Sequence, residues 1–462
     1  MGGSNLEQVP VAKNRDYEMK IDNLGMNGEG IGRIKGFTMF VPGALPGEKI
    51  RIKAVKVGKR YGYGKLLEVI EPSNQRVKPK CSYAGKCGGC QLQHMSYSLQ
   101  LDFKRQLVED ACKRIGGLED VHIYNTIGME KPWNYRNKVQ LPVGTAHNRL
   151  TIGFYAPRSH NIIDMNTCDI QHSINDNIIK AVRKYMDEYN IMPYDEIPHK
   201  GIVRHVVSRI GFRSGEIMVI IVTNGDVLPH KDKLIEDLKR NIPNIVSIVQ
   251  NINSKKTNVI LGEKNILLWG KDHIVDYIGE LKFKISPLSF FQVNPIQTAV
   301  LYNKALEYAG LTGNEGVIDA YCGIGTISLF MAEKAKKVYG IEIVPQAIKD
   351  AKINAMENNI ENVEFIQGQA EVIIPNMIEE GLKVDVAVVD PPRKGCDPRL
   401  LDALIHAQPN RIVYVSCNPA TLARDLKYLT DGEYKVQEVQ PVDMFPQTNH
   451  VETVVLMSRV EK

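Results

Sequence analysis

The tripeptide Ser416-Cys417-Asn418 ends a hydrophobic run, Arg411-Ile-Val-Tyr-Val, and stands just before Pro419. A cysteine leaving the end of a buried strand is placed to act as a nucleophile, and a helix start at Asn418-Pro419 is expected to lower its pKa. Such a thiol needs a base, and the run His450-Val451-Glu452-Thr453 offers Glu452 at the mouth of a final strand. One cysteine and one base are what alkylation of a poorly nucleophilic ring carbon requires. For C5 of a pyrimidine, a thiolate adds to C6 and an enolate forms. C5 then attacks an activated methyl group, and the base strips the C5 proton so that the thiol can leave. A cysteine by itself is more commonly a small buried hydrophobe, the fate expected of Cys112 and Cys396.

Two further loops end hydrophobic runs. Asp390-Pro391-Pro392-Arg393 follows Val384 to Val389, and Asp319-Ala-Tyr-Cys-Gly-Ile-Gly-Thr326 follows Val317-Ile318. The first resembles the Asp/Asn-Pro-Pro-aromatic loop of amino-methyltransferases, but Arg393 replaces the aromatic that would stack on a base, which disfavours direct methylation of an exocyclic amine. In the second, the third glycine of a dinucleotide fingerprint falls on Ser328. An acid, a short spacer and Gly-x-Gly opening a helix, with Glu342 ending the following strand, suit a nucleoside without a pyrophosphate, whose ribose the acid would hold. These features point to S-adenosylmethionine. Cys322 is expected to line this loop.

Cys81, Cys87 and Cys90, spaced C-x5-C-x2-C among Gly85, Gly88 and Gly89, make three ligands of a four-ligand metal site. Cys168 is the best candidate for the fourth, because Cys112 lies on a helix face suited to packing. Thiolate softness admits zinc or an iron-sulfur cluster, and the spacing matches neither the zinc-ribbon nor the ferredoxin pattern.

The elements that must position these groups fall into three stretches. Residues 15–73 read as short alternating strands broken by glycines, a small five-stranded barrel of the OB type. Within it Lys49, Arg51, Lys53, Lys56, Lys59, Arg60 and Lys65 form an acid-free run interleaved with Tyr61 and Tyr63. That composition suits single-stranded nucleic acid, although a merely solvated basic face would read the same. Residues 74–285 are α+β, with a helix over 95–116, strands that include 258–261, and helices over 174–188 and 231–239. From 286 to 462 strand and helix alternate, which predicts an α/β, doubly wound parallel sheet with ligands at its strand ends. The last two strands, near 435–442 and 451–457, have no helix between them and are expected to pair. With 462 residues, 43% of them hydrophobic, the chain can build several cores. No leader or membrane span is evident, and eight cysteines, partly clustered, suit a reducing compartment. A soluble, cytoplasmic protein is expected. The net charge of +5 only hints at a polyanionic partner.

Taken in order, the glycine-rich barrel, the C-x5-C-x2-C cluster, Phe290-Phe-Gln-Val-Asn-Pro295 and the set Asp-Pro-Pro-Arg, Ser-Cys-Asn-Pro and His-Val-Glu-Thr resemble the RNA uracil-C5 methyltransferases over nearly the full length. The resemblance implies a TRAM domain at the N-terminus, a Rossmann-like S-adenosylmethionine methyltransferase domain at the C-terminus, and a helix 95–116 packed on the latter. It makes Cys417 the nucleophile and Glu452 the general base, and gives cofactor contacts to Gln292, Tyr321, Glu342 and Asp390. Tyr321 stands where some members carry Phe. It implies a 4Fe-4S cluster on Cys81, Cys87, Cys90 and Cys168, structural or RNA-binding in role. TRAM and cluster together favour 23S ribosomal RNA over transfer RNA as substrate, for a monomeric enzyme without a membrane partner. The rivals are the same reaction on transfer RNA, the same chemistry on cytosine, which commonly has Cys where Arg393 stands, and an iron-sulfur or radical-SAM RNA-binding protein, for which four cysteines leave no open iron.

Overall fold

The structure, a computed structural model, describes residues 9–146 and 148–460. The chain divides into two compact units, Met1–Leu107 with Gln447–Asn449, and Val108–Pro446 with His450–Lys462.

In the first unit β1 (Asp16–Leu24), β2 (Gly30–Ile34), β3 (Phe37–Val41), β4 (Lys49–Val57) and β5 (Tyr61–Glu71) close into a barrel of order β1-β2-β3-β5-β4. Along β4, Ile50, Ile52 and Ala54 are wholly buried while Lys49, Arg51 and Lys53 turn away from the core, the period of two that a half-buried strand demands. β1 and β2 approach so closely that a Cβ on Gly32 would lie 2.0 Å from the Lys20 carbonyl oxygen, so only glycine fits there. Beyond the barrel, the buried Glu48 carboxylate accepts from the Leu45 N–H at 2.8 Å and from Arg76 Nη2 at 2.8 Å, pinning the segment that leads out. Helix α1 (Tyr97–Arg114) sets Phe103 against Leu45, Leu92 and Met95, while its Val108 and Cys112 belong to a core cluster of the second unit.

The second unit opens with β6 (Lys138–Ala146), β7 (Arg149–Tyr155), β8 (Ile162–Asp164), α2 (Ile174–Glu188), β9 (Val203–Ile210), β10 (Ile217–Thr223), α3 (Lys231–Asn241), β11 (Ile245–Ile252) and β12 (Lys264–Gly270). Its sheet runs β12-β11-β10-β9-β6-β7-β8. Residues 258–261, expected as a strand, are irregular instead. Asn253 Nδ2 takes the carbonyls of Val259 and Ile260 at 2.7 and 3.0 Å, and a Cβ on Gly262 would lie 1.9 Å from the Ile252 oxygen. The chain there crosses back before pairing as β12.

A hairpin of β13 (Ile274–Ile278) and β14 (Leu281–Ile285) leads through α4 (Pro295–Ala309) to β15 (Gly316–Ala320), α5 (Thr326–Ala332), β16 (Lys337–Glu342), α6 (Pro345–Glu357), β17 (Val363–Gln367), α7 (Ala370–Glu379), β18 (Val386–Val389), α8 (Pro398–Ala407), β19 (Arg411–Ser416), α9 (Pro419–Asp431), β20 (Tyr434–Val442) and β21 (Glu452–Arg459). Helices α4 and α7 escape the sequence pattern. α4 buries Gln297 and Thr298 among its apolar residues, and α7 carries Pro375 inside it, so neither shows a clean amphipathic period. The sheet order is β17-β16-β15-β18-β19-β21-β20, with β21 antiparallel between β19 and β20. The strand order reverses between β15 and β18, so the crevice at their carboxyl ends is the switch point where such sheets take ligands. Among the described residues no helix is long and apolar enough to cross a membrane.

Candidate active site

β19 is buried along most of its length and delivers Cys417, half-buried, one residue past its end. Asn418 then caps α9, its Oδ1 accepting the Ala420 N–H at 3.1 Å, and Pro419 occupies the first turn, where no N–H is needed. β19 and β21 pair antiparallel down to Ser416 and Thr453. The next step in that register faces Cys417 with Glu452, which is 4% exposed. Asp390 ends β18 in the crevice, and Arg393 is held near the pair because its carbonyl accepts from Asn418 Nδ2 at 3.0 Å and Thr421 Oγ1 at 3.3 Å.

The electrostatics of this cluster correct one expectation. The Cys417 thiol is not lowered by the helix start. Burial above all, then the carboxylates of Glu452 and Asp390, push it up to about 11, against the pull of Arg393. The cysteine precedes the cap, and Asn418 rather than the sulfur meets the first free N–H of α9. Burial, with Asp390 adding to it, also pushes Glu452 well above the ordinary carboxylate range, again opposed by Arg393. Burial raises Asp390 to about 7. The thiol is therefore neutral near pH 7, and the burial that makes the thiol and Glu452 costly to ionise also makes each a stronger nucleophile or base once it does.

The glycine loop lies across the crevice. Glu342 at the end of β16 accepts the Gly323 N–H at 3.2 Å and the Val344 N–H at 2.8 Å. A Cβ on Gly323 would meet nothing within 4 Å, which leaves open ground beside that carboxylate. Gly325, with φ +81°, must be glycine because a Cβ would lie 2.7 Å from the Phe365 ring. Tyr321 holds φ at 68°, costly for a bulky residue and typical of backbone kept strained at a functional site. Gln292 is 8% exposed, its carbonyl taken by Asn137 Nδ2 at 3.0 Å, and its side chain reaches the Tyr302 hydroxyl. The loop thus forms an open cradle with one carboxylate aimed into it, which fits a nucleoside cofactor. Of three further groups here, only Tyr302 escaped the sequence reading. Tyr302 lies hidden on α4 and bonds Thr326 Oγ1 at 3.0 Å. Asp319 is wholly buried, with one oxygen on Ser328 at 2.5 Å, the other without a partner, and its carboxyl up to about 7 chiefly through burial. Arg393 was visible as a departure from a motif but not as a charge on the nucleophile and base.

Cys112 and Cys396 are buried as expected, and Cys322 lines the cofactor loop with its sulfur toward the Gly323 carbonyl at 3.8 Å. Cys81, Cys87 and Cys90 belong to the first unit and Cys168 to the second. Cys87 Sγ accepts the Gly89 N–H at 3.3 Å, and burial with Cys81 close by raises its thiol. Among the described residues no three His, Cys, Asp or Glu side chains are gathered as metal ligands. On the barrel, Lys49, Arg51 and Lys53 face Glu18, Glu68 and Asp16 at 3.4, 2.6 and 3.9 Å, so the acid-free run is partly neutralised by neighbouring strands. Lys56, Lys59 and Arg60 remain around Tyr61 and Tyr63, whose rings each pack with Phe40 at a centroid distance of 5.6 Å and with each other at 5.9 Å.

Residues 210–460 match the family model described as tRNA (uracil-5-)-methyltransferase, and residues 10–67 match the TRAM domain. A protein of Clostridium tetani named as an uncharacterized RNA methyltransferase is 58% identical over 98% of both chains. One of Halalkalibacterium halodurans with the same description is 54% identical, again over 98% of both. Among solved structures, the Pyrococcus abyssi tRNA (uracil-54, C5)-methyltransferase in complex with S-adenosyl-L-homocysteine is 30% identical and superposes with a TM-score of 0.77, covering 96% of this chain and 100% of that one. The fold is therefore the one the sequence implied, a TRAM barrel followed by a Rossmann-like methyltransferase sheet, and the chain belongs to the tRNA (uracil-5-)-methyltransferase family.

Proposed function

We propose that this RNA methyltransferase forms 5-methyluridine in 23S ribosomal RNA through a covalent bond between Cys417 and C6 of a flipped uracil. The observation that carries the reading is the facing of Cys417 and Glu452 at the mouth of β19 and β21, beside Asp390. S-adenosylmethionine, held by Gln292, Tyr321, Glu342 and Asp390, would supply an electrophilic methyl group. The Cys417 thiol gives up its proton and Sγ bonds to C6, moving the ring electrons onto O4. C5 would take the methyl carbon as its bond to the sulfonium sulfur breaks, with S-adenosylhomocysteine as the leaving group, and the Glu452 carboxylate takes the proton from C5. The electrons then return, the C6–S bond breaks, and 5-methyluracil leaves the thiolate of Cys417 behind. Asp390, raised to about 7, is the carboxylate left to receive the first proton, since Glu452 must stay ionised to take the C5 proton, and Arg393 favours the ionised forms of thiol and base.

The ribosomal substrate is supported by the TRAM barrel together with the cysteine run, and a 4Fe-4S cluster on Cys81, Cys87, Cys90 and Cys168 is part of the same proposal. The Gly89 N–H turned toward Cys87 Sγ is what a thiolate ligand attracts. Transfer RNA is the second reading, favoured by the likeness to the Pyrococcus abyssi enzyme. Mapping 5-methyluridine in both RNAs from a strain lacking the protein decides between them. Loss of the base from 23S RNA is expected, and loss from transfer RNA alone overturns the ribosomal assignment.

A further inference from the structure

Strand β6 begins with a group of cations that the methyl-transfer reading does not use. Lys138 is the direct cross-strand partner of Arg209 on β9, and Arg136, two residues earlier, lies on the same side of the chain. Arg209 is 3% exposed and committed to the carbonyls of Pro287 and Ser289, with its Nε unpartnered. Among the described residues Lys138 and Arg136 make no ion pair. Burial first, then Arg209 and Arg136, hold the Lys138 ammonium down to about 7, and no carboxylate offsets them. Like charges set opposite each other destabilise a strand pair, so the cluster costs the empty protein energy.

Its location gives that cost a purpose. Asn137, between the two cations, binds the carbonyl of Gln292 through Nδ2 and that of Val293 through its N–H at 2.9 Å. The opposite face of β6, with Val139, Leu141 and Val143, is sealed into the core of the central sheet. Arg209, on the same face as its cross-strand partner Lys138, bonds the carbonyls of Pro287 and Ser289, so the cations stand on the side that meets the segment leading to Gln292. The Arg136 backbone is pinned on both sides, its N–H to Ile170 at 3.0 Å and its carbonyl to the His172 N–H at 3.3 Å. A flipped nucleotide cannot enter a pocket without its backbone phosphates, and those must be met at the rim.

We propose that Lys138, flanked by Arg136 and backed by the buried Arg209, seats a backbone phosphate of the RNA strand that presents the target uridine. The inference rests on RNA being the substrate, as proposed above. The cluster belongs to the central sheet rather than to the glycine loop that fits the cofactor, so its anion is the RNA phosphate and not the cofactor carboxylate.

The test titrates full-length protein with a fluorescein-labelled uridine-rich RNA stem-loop at several salt concentrations, and with S-adenosylhomocysteine by calorimetry. Lys138→Gln should bind the RNA several-fold more weakly, with a slope of log affinity against log salt flatter by about 0.7 to 0.9, the loss of one phosphate contact. Lys138→Arg should restore both. The melting temperature of Lys138→Gln should stay or rise, since a repulsion is removed, and its S-adenosylhomocysteine affinity should not change. An unchanged RNA slope in Lys138→Gln, or weakening that Arg does not rescue, overturns the phosphate seat. Loss of S-adenosylhomocysteine binding with an intact slope reassigns the cluster to the cofactor and also overturns it. Failure of the wild-type protein to bind RNA at all would instead remove the substrate reading on which the seat rests.

Discussion

Cys417 and Glu452 face each other one step beyond Ser416 and Thr453, the last Cα pair of the β19–β21 ladder. They lie on separate strands, and only the antiparallel return of β21 beside β19 brings thiol and carboxyl together. The Glu452 carboxylate raises the thiol's cost of ionising, because a buried thiolate and a buried carboxylate repel. That arrangement suits a nucleophile and base that act in sequence rather than together.

Incubation with 5-fluorouridine RNA and S-adenosylmethionine should give wild-type protein a denaturation-resistant adduct, since fluorine cannot leave as a proton does. Cys417→Ala should give none on a denaturing gel, and an adduct in that variant would remove Cys417 from the mechanism.

Glu452→Gln should accumulate an adduct on ordinary RNA, because addition and methyl transfer precede proton loss. Turnover is expected to fall by about 10²- to 10⁴-fold, the usual worth of a positioned base. Wild-type turnover of methyl groups in this variant would show that another group takes the C5 proton.

Burial raises the Asp319 carboxyl to about 7 from an ordinary value of 3.8. A carboxyl raised by folding supports the folded state while protonated, and that support fades as pH climbs from the unfolded value through the folded one. Asp319→Asn should therefore gain stability over wild type at pH 8 relative to pH 5, by on the order of 2–4 kcal/mol. Equal denaturant midpoint differences at the two pH values would contradict it.

Gly325→Ala drives a Cβ to 2.7 Å from the Phe365 ring at a φ of +81°. The start of α5 must shift, at a cost of about 1–3 kcal/mol. S-adenosylhomocysteine should bind at least tenfold more weakly by calorimetry, while binding of wild-type strength would mean that the loop does not cradle the cofactor.

Anaerobic purification should yield a brown protein with about four irons, the content of a 4Fe-4S cluster. Cys87→Ser should lose most of it. Stoichiometric zinc in elemental analysis would refute the cluster.

The local chemistry of this protein was legible in one dimension. Gly323 and Gly325 announce a tight loop because no other residue takes that backbone cheaply, Asn418-Pro419 announces a helix start, and the alternation along β4 announces a barrel strand. These are properties of one residue and its near neighbours, so the sequence by itself determined the order of elements, the strand-end loops and the residue types able to do chemistry. Helix α7 with its inner proline and the irregular run at 258–261 were lost because their local pattern is overridden by packing and by Asn253. What only the tertiary structure decided is environment. The Cys417 thiol rises instead of falling, Asp319 and Asp390 approach neutrality, and Lys138 meets Arg209 across a strand pair, because desolvation and charge act through space between residues far apart in the chain.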